Sequence, residues 1–216
     1  MSDQTPAEAE FELAWADERY TRAVLPAVDV NRILGERYGT REPVALDRAG
    51  IWDMEVRKAG NPGAFIPNVI EEGSAAAWVP GGKGAELGDE FVRQSRQRLW
   101  LEPDTYGLVL EEVHLNHGRQ QVTFLGREAF SDERGGPLRA EGRQPLFHVQ
   151  HGVAGTDERP LNTWRILLLT DEPDDRLVKV FDRMAGDPWL PEFLELYVQD
   201  VLGIGLARRD DVWGTE

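Results

Sequence analysis

Five short apolar runs, each closed by polar or turn-forming residues, occupy residues 89–171: "DEFVRQSRQRLWLEP", "TYGLVLEEVHL", "RQQVTFLGREAF", "QPLFHVQHGV" and "TWRILLLTD". Runs of this length, separated by turns, are what antiparallel strands require. A body holding five of them is expected to be a sandwich or barrel of short strands.

The flanks differ in texture. From Phe11 to Tyr38 the apolar residues Leu13, Trp15, Tyr20, Val24, Leu25, Val28, Ile33 and Leu34 fit helical spacing better than alternation. Pro26 divides this segment into two short helices, with Asp29 placed to cap the second and Gly39 just past its end. "GIWDMEVRKAG", residues 50–60, alternates between bounding glycines and reads as a strand, and the Gly- and Pro-rich stretch to residue 84 reads as loops. "DDRLVKVFDRM" satisfies both strand and helix templates. "PWLPEFLELYVQDVLGIGLA" carries Phe193, Leu194, Tyr197, Val198, Val201 and Leu202 on one face, an amphipathic helix with Pro191 near its start and Gly203 or Gly205 near its end. The expected class is α+β, with a mainly antiparallel β-barrel or sandwich body and helical N-terminal and C-terminal segments. The chain divides into a flexible tail over 1–9, a single domain over 10–184 and a C-terminal helical extension over 185–216.

Composition narrows the function. With no cysteine there is neither a disulfide framework nor a thiol nucleophile. No run approaches the roughly 20 apolar residues of a membrane span, and the acidic start "MSDQTPAEAE" has no apolar signal core. A cytoplasmic protein with no membrane partner is expected. The formal charge of −15 opposes a nucleic-acid partner. Lys58, Lys83 and Lys179 are the only lysines, so arginine carries nearly all the positive charge. Such a surface suits brine or a GC-rich genome.

The commonest enzyme signatures, GxSxG, GxxxxGK[ST], HExxH and a strand-associated GxGxxG, are absent. The four histidines form two pairs of equal spacing, "HLNH" (His114, His117) and "HVQH" (His148, His151). Imidazole pairs with carboxylates hold zinc or iron. On a regular strand, residues three apart face opposite ways, so each pair chelates only at a strand end or bulge. Trp52, Trp78, Trp100 and Trp164 sit in or beside expected strands, where large rings fill cores.

Five stretches, in order, resemble the dUTP diphosphatase and dCTP deaminase superfamily. They are "AGIWDMEV" with Asp53, "LEPDTYGLVLEEVHL", "GREAFSDERGG" with Arg127, "HVQHGVAGTDERPLNTWRILLL" with Asp157, and "EPDDRLVKVFDRM" with Asp175, Arg176 and Leu177. Together they cover about residues 46–184. The resemblance implies a dUTPase-like distorted β-barrel assembled as a homotrimer. It further implies pyrimidine deoxynucleoside triphosphate binding, with dUTP hydrolysis or dCTP deamination, Asp157 as general base, and Arg127 and Arg176 on phosphate. Asp53 matches a structural aspartate of the first motif. Magnesium would accompany the nucleotide.

The chain departs from the family at its phosphate motif, where Glu128 and Ala129 replace two serines, and after Asp157, where Glu158 and Arg159 replace Pro-Gly. A carboxylate there repels phosphate. Two rival expectations therefore stand beside the nucleotide enzyme. One is a non-catalytic trimer of the same fold, regulatory or a virion or assembly component; the other is a small metalloprotein built on the histidine pairs. Arg176 also reads as a surface ion pair with Asp174 or Asp175.

Overall fold

The structure, a computed structural model, describes residues 4–82 and 84–209. Residues 1–3 of the expected tail and 210–216 of the expected extension lie outside the described residues. Helix α1 (Pro6–Trp15) starts at a capping box in which the Thr5 hydroxyl accepts from the Glu8 amide and the Glu8 carboxylate accepts from the Thr5 amide. It therefore covers residues 6–9. Strands β1 (Thr21–Val24) and β2 (Val28–Asp29) are two pieces of one edge, interrupted around Pro26, which has no N–H to give a ladder. Pro26 thus breaks a strand, and it does not separate two adjoining helices. Asp29 does cap helix α2 (Val30–Arg37), accepting from the Arg32 amide. A short strand β3 (Tyr38–Thr40) follows.

Helix α3 (Arg48–Gly60) replaces the strand expected over 50–60. Asp47 caps it through the Gly50 amide. Its buried positions include Ile51, Met54, Glu55, Lys58 and Ala59, a helical i, i+3, i+4, i+7, i+8 stripe. Two members of that stripe are charged, and this hid the period. Helix α4 (Pro62–Phe65) and strand β4 (Ala76–Trp78) lead into the body.

The five apolar runs all form strands: β5 (Glu90–Arg98), β6 (Tyr106–Asn116), β7 (Gln121–Gly126) and, after a small ribbon of β8 (Ala129–Ser131) and β9 (Pro137–Arg139), β10 (Phe147–Gly155) and β11 (Pro160–Leu168). The ambiguous segment is helix α5 (Asp175–Ala185), capped by Asp174. Helix α6 (Glu192–Leu196), entered from Pro191, passes into a π-helical turn over Tyr197–Val201. Strand β12 (Leu206–Arg208) then pairs with β3.

The main sheet runs β4-β5-β6-β7-β10-β11, with β1 and β2 side by side along the far edge of β11. Every pairing is antiparallel. Its two edges do not meet, so the chain is an α+β protein with a large open sheet and flanking helices. The dUTPase-like closed barrel is not formed.

Side-chain alternation gives the sheet two dry faces. One carries Phe91, Val113, Phe124, Phe147, Val149, Trp164 and Ile166 against α3, α5 and α6. The other carries Leu125 and Leu167 against Phe11 and Ala7 of α1. Gly126 ends β7 because a Cβ there would lie 2.3 Å from the Phe147 carbonyl oxygen. Gly155, at φ +78°, turns β10 into β11 where a Cβ would meet the Arg159 carbonyl at 2.2 Å. No described helix is long and apolar enough to cross a membrane.

Candidate functional site: a charged pocket inside the core

Between the first sheet face and helices α3, α5 and α6 lies a cavity of about 210 Å³. Its walls are mostly rings and branched chains, among them Trp100, Phe124, Phe147, Val149, Trp164 and Ile166. An outer groove of about 630 Å³ shares Leu25, Ile66, Val69, Trp164, Met184 and Phe193 with it. Met184 is 56% exposed, so this shared rim is the way in.

Two ion pairs stand at this apolar space, with Lys58, Arg93 and Glu111 in its wall. From α3, Glu55 is fully buried and Lys58 is 3% exposed. The Lys58 ammonium sits 2.9 Å from the Glu55 carboxylate, 2.9 Å from His151 Nδ1 and 3.6 Å from the centre of the Phe193 ring. His151 Nδ1 is also 3.0 Å from Glu55 Oε2, and the Asn162 amide donates to Glu55 Oε1 at 2.8 Å. From β5, Arg93 Nε donates to Glu111 Oε2 at 2.7 Å and Nη1 to the Ala59 carbonyl at 3.0 Å. Its guanidinium lies 4.3 Å over the Phe124 ring.

Desolvating four charges is costly, and only close pairing offsets it. The pairing here is complete: Glu55 faces Lys58 and Glu111 faces Arg93, so the two pairs together carry no net charge. Burial works to raise the Glu55 pKa, but the charges of Lys58 and His151 outweigh it and hold the carboxyl at about 2. Burial lowers the Lys58 pKa against the opposing pull of Glu55. Burial, helped by the Lys58 charge, also lowers His151.

One donor in a residue of this wall has no protein acceptor among the described residues. Trp164 is 9% exposed, lines both cavity and groove, and its buried Nε1–H is unbonded. Arg93 engages partners through Nε and Nη1. Buried donors are nearly always satisfied, and leaving one unpaired costs about 1–3 kcal/mol. The wall thus holds one buried donor, the Trp164 indole N–H, that no protein group satisfies.

The histidine pairs split as strand alternation requires. His148 takes the Gly126 amide on its Nδ1, whereas His151 faces the cavity. His114 lies 2.9 Å from Glu112, and His117 receives the Trp52 indole N–H at 3.0 Å. Among the described residues no three His, Asp or Glu are grouped to hold a metal ion.

The other expected site residues lie elsewhere. Arg127 is engaged by Glu112 at 2.8 Å and by Glu10 of α1 at 2.5 Å. Asp157 is exposed in the turn after β10. Because Arg127 follows Gly126 beside the start of β10, the nine residues of β10 separate it from Asp157, roughly 30 Å at 3.3 Å per residue. Arg176 is exposed at the start of α5 and bonds Asp174 at 2.6 Å. Asp53 bonds Arg57 at 2.7 Å and receives the Tyr197 hydroxyl at 2.9 Å. Glu55, Arg93 and Glu111 escaped the sequence reading, and Trp164 was assigned only to the core. The one signal in the sequence was the scarcity of lysine.

Acid should act on this interior in two stages. His148 and His151 are both held below the usual 6.5 chiefly by burial, so the unfolded chain binds protons that the folded chain refuses. Stability should therefore fall as pH drops below about 6.5. Glu55, lowered from 4.5 to about 2, adds a loss that begins as pH falls below 4.5 and runs towards 2. Urea midpoints at pH 7.5, 5.5 and 3.5 test this. A midpoint unchanged between pH 7.5 and 5.5 would contradict the neutral buried histidines.

No protein-family model matches the chain, and a search of curated proteins finds no match. Solved structures do match. The di-domain ARO/CYC StfQ from the steffimycin biosynthetic pathway overlaps 68% of this chain at 14% identity and a TM-score of 0.41. This chain spans 42% of that protein's length. The Zhui aromatase/cyclase from Streptomyces sp. R1128 overlaps 82% of this chain and 96% of its own at 9% identity and a TM-score of 0.45. The open sheet, whose edges do not meet, overturns the resemblance to dUTP diphosphatases and dCTP deaminases, and with it nucleotide hydrolysis and deamination. The overlap is partial and the identity low, so what this chain binds rests on its own cavity.

Proposed function

We propose that this protein binds a small, flat, largely apolar molecule bearing a carbonyl or phenolic oxygen in the cavity beneath α3, α5 and α6. The observation that carries the reading is the unbonded Trp164 Nε1–H in a wall built largely of rings and aliphatic side chains. At about 210 Å³ the cavity falls below the roughly 300–1,000 Å³ of drug-sized sites, which suits two fused rings. Lys58 and Arg93 are each already paired with a carboxylate, which favours a neutral guest over a nucleotide, whose phosphates would meet Glu111 in the lining.

Tryptophan-fluorescence titration with naphthalene and 2-acetonaphthone tests this. A hydrogen bond contributing about 0.5–1.5 kcal/mol makes the ketone bind roughly 2- to 10-fold more tightly than the hydrocarbon. Trp164→Phe should erase that difference, and Ile166→Trp should block both probes by filling the cavity. Equal affinities for the two probes in the parent protein would defeat the reading.

A further inference from the structure

We infer that Lys58 is a covalent site, whose amine captures the carbonyl carbon of an aldehyde or ketone guest as an iminium ion. This rests on the cavity reading above and goes one step beyond it. The chain has 21 arginines and three lysines, and one of those lysines stands in the cavity wall. Arginine is the usual partner in a buried ion pair, because it binds a carboxylate through a planar fork and keeps its charge. A buried lysine instead yields its proton readily and becomes a nucleophile. Arginine at this position would satisfy Glu55 as well, but it would not form an imine.

The surroundings supply the remaining parts. The groups facing the ammonium are Glu55 from its own helix, His151 from β10, Arg93 from β5 with its partner Glu111 from β6, and the Phe193 ring from α6. His151 Nδ1, 2.9 Å away, is placed to take the ammonium proton. The freed lone pair adds to the carbonyl carbon while the oxygen takes that proton back from His151. A further proton passes from nitrogen to the same oxygen through His151, the C–O bond breaks, water leaves, and a C=N bond remains. In sum, ammonium plus carbonyl gives iminium plus water. The cation stays beside Glu55 throughout, so no new charge arises in the apolar cavity. The lowered Lys58 pKa, caused first by burial, supports capture near neutral pH. Trp164 Nε1–H is the donor for an oxygen elsewhere on the guest.

The full chain can be incubated with 2-naphthaldehyde, reduced with cyanoborohydride and mapped by peptide mass, with exposed Lys179 as the internal reference. A guest held in the cavity meets Lys58 at an effective concentration far above that in bulk solution, whereas Lys179 meets only the bulk aldehyde. Lys58 should therefore carry the naphthylmethyl label at least about tenfold ahead of Lys179 at pH 6. An excess of 2-naphthol, which fills the cavity without a carbonyl, should protect Lys58 and leave Lys179 unchanged. If the aldehyde quenches tryptophan fluorescence saturably yet Lys58 stays unlabelled, or is labelled no faster than Lys179, covalent capture is overturned while the cavity reading stands. If neither probe binds, both fall together. The protection arm needs no substitution, so it holds even where Lys58 variants do not fold.

Discussion

Glu55→Ala should destabilise the protein by about 3–5 kcal/mol, because it strands the Lys58 ammonium in the core without a counter-ion. The Glu55→Met, Lys58→Met double variant should recover that loss and end near, or above, the parent, since apolar side chains of similar volume avoid desolvating two charges. Urea unfolding measures both. The contrast matters more than either value. If the single variant lost less than about 1 kcal/mol, the pair would be reached by water and the dry interior would be wrong. A double variant that is stable but no longer labels with 2-naphthaldehyde would separate folding from chemistry at this site.

Phe124→Ala should also be costly, by about 3–5 kcal/mol, but its consequence for binding is opposite in kind. Phe124 is buried on the sheet face, under the Arg93 guanidinium and 5.3 Å from the His151 ring. Removing the ring leaves a void that joins the cavity. The variant should therefore accept a three-ring ketone such as 2-acetylanthracene, which the parent excludes. A ligand at a hundredfold excess over its Kd returns about 2.7 kcal/mol of stability, so thermal shift reads the gain directly. Equal shifts of parent and variant by the three-ring ketone would mean that Phe124 does not bound the cavity.

The strands were legible because β6, β7, β10 and β11 state most of their burial in hydropathy, whereas β5 does so only at Phe91 and Val92 and buries Arg93, Ser95 and Gln97 beyond them. The helix that matters most was not. In α3 the inward positions 55 and 58 hold Glu and Lys, so a scale that scores them as surface residues sees alternation where the backbone follows a helical period. The Asp47 cap was the local signal against a strand, as Asp174 was for α5. The cavity wall was hidden for another reason. Its residues run from Leu25 to Phe193 across sheet and helices, and no short motif contains them. Motif matching therefore settled on Arg127 and Asp157, which have the turn-end chemistry of any antiparallel sheet. The structure commits Arg127 to Glu10 and Glu112 on the α1 side and leaves Asp157 in a hairpin turn. Strand alternation, in contrast, correctly separated His148 from His151.

The seven tryptophans allow the central claim to be read at one atom. In a nitrogen-15 spectrum, the Trp164 indole N–H should begin as an unbonded donor and move as 2-acetonaphthone is added, in step with occupancy. The Trp52 indole, already bonded to His117 Nδ1 at 3.0 Å and outside the cavity lining, should stay in place. Saturable binding that shifts Trp164 and leaves Trp52 still is the result this account predicts. Saturable binding that leaves the Trp164 resonance unmoved would contradict it.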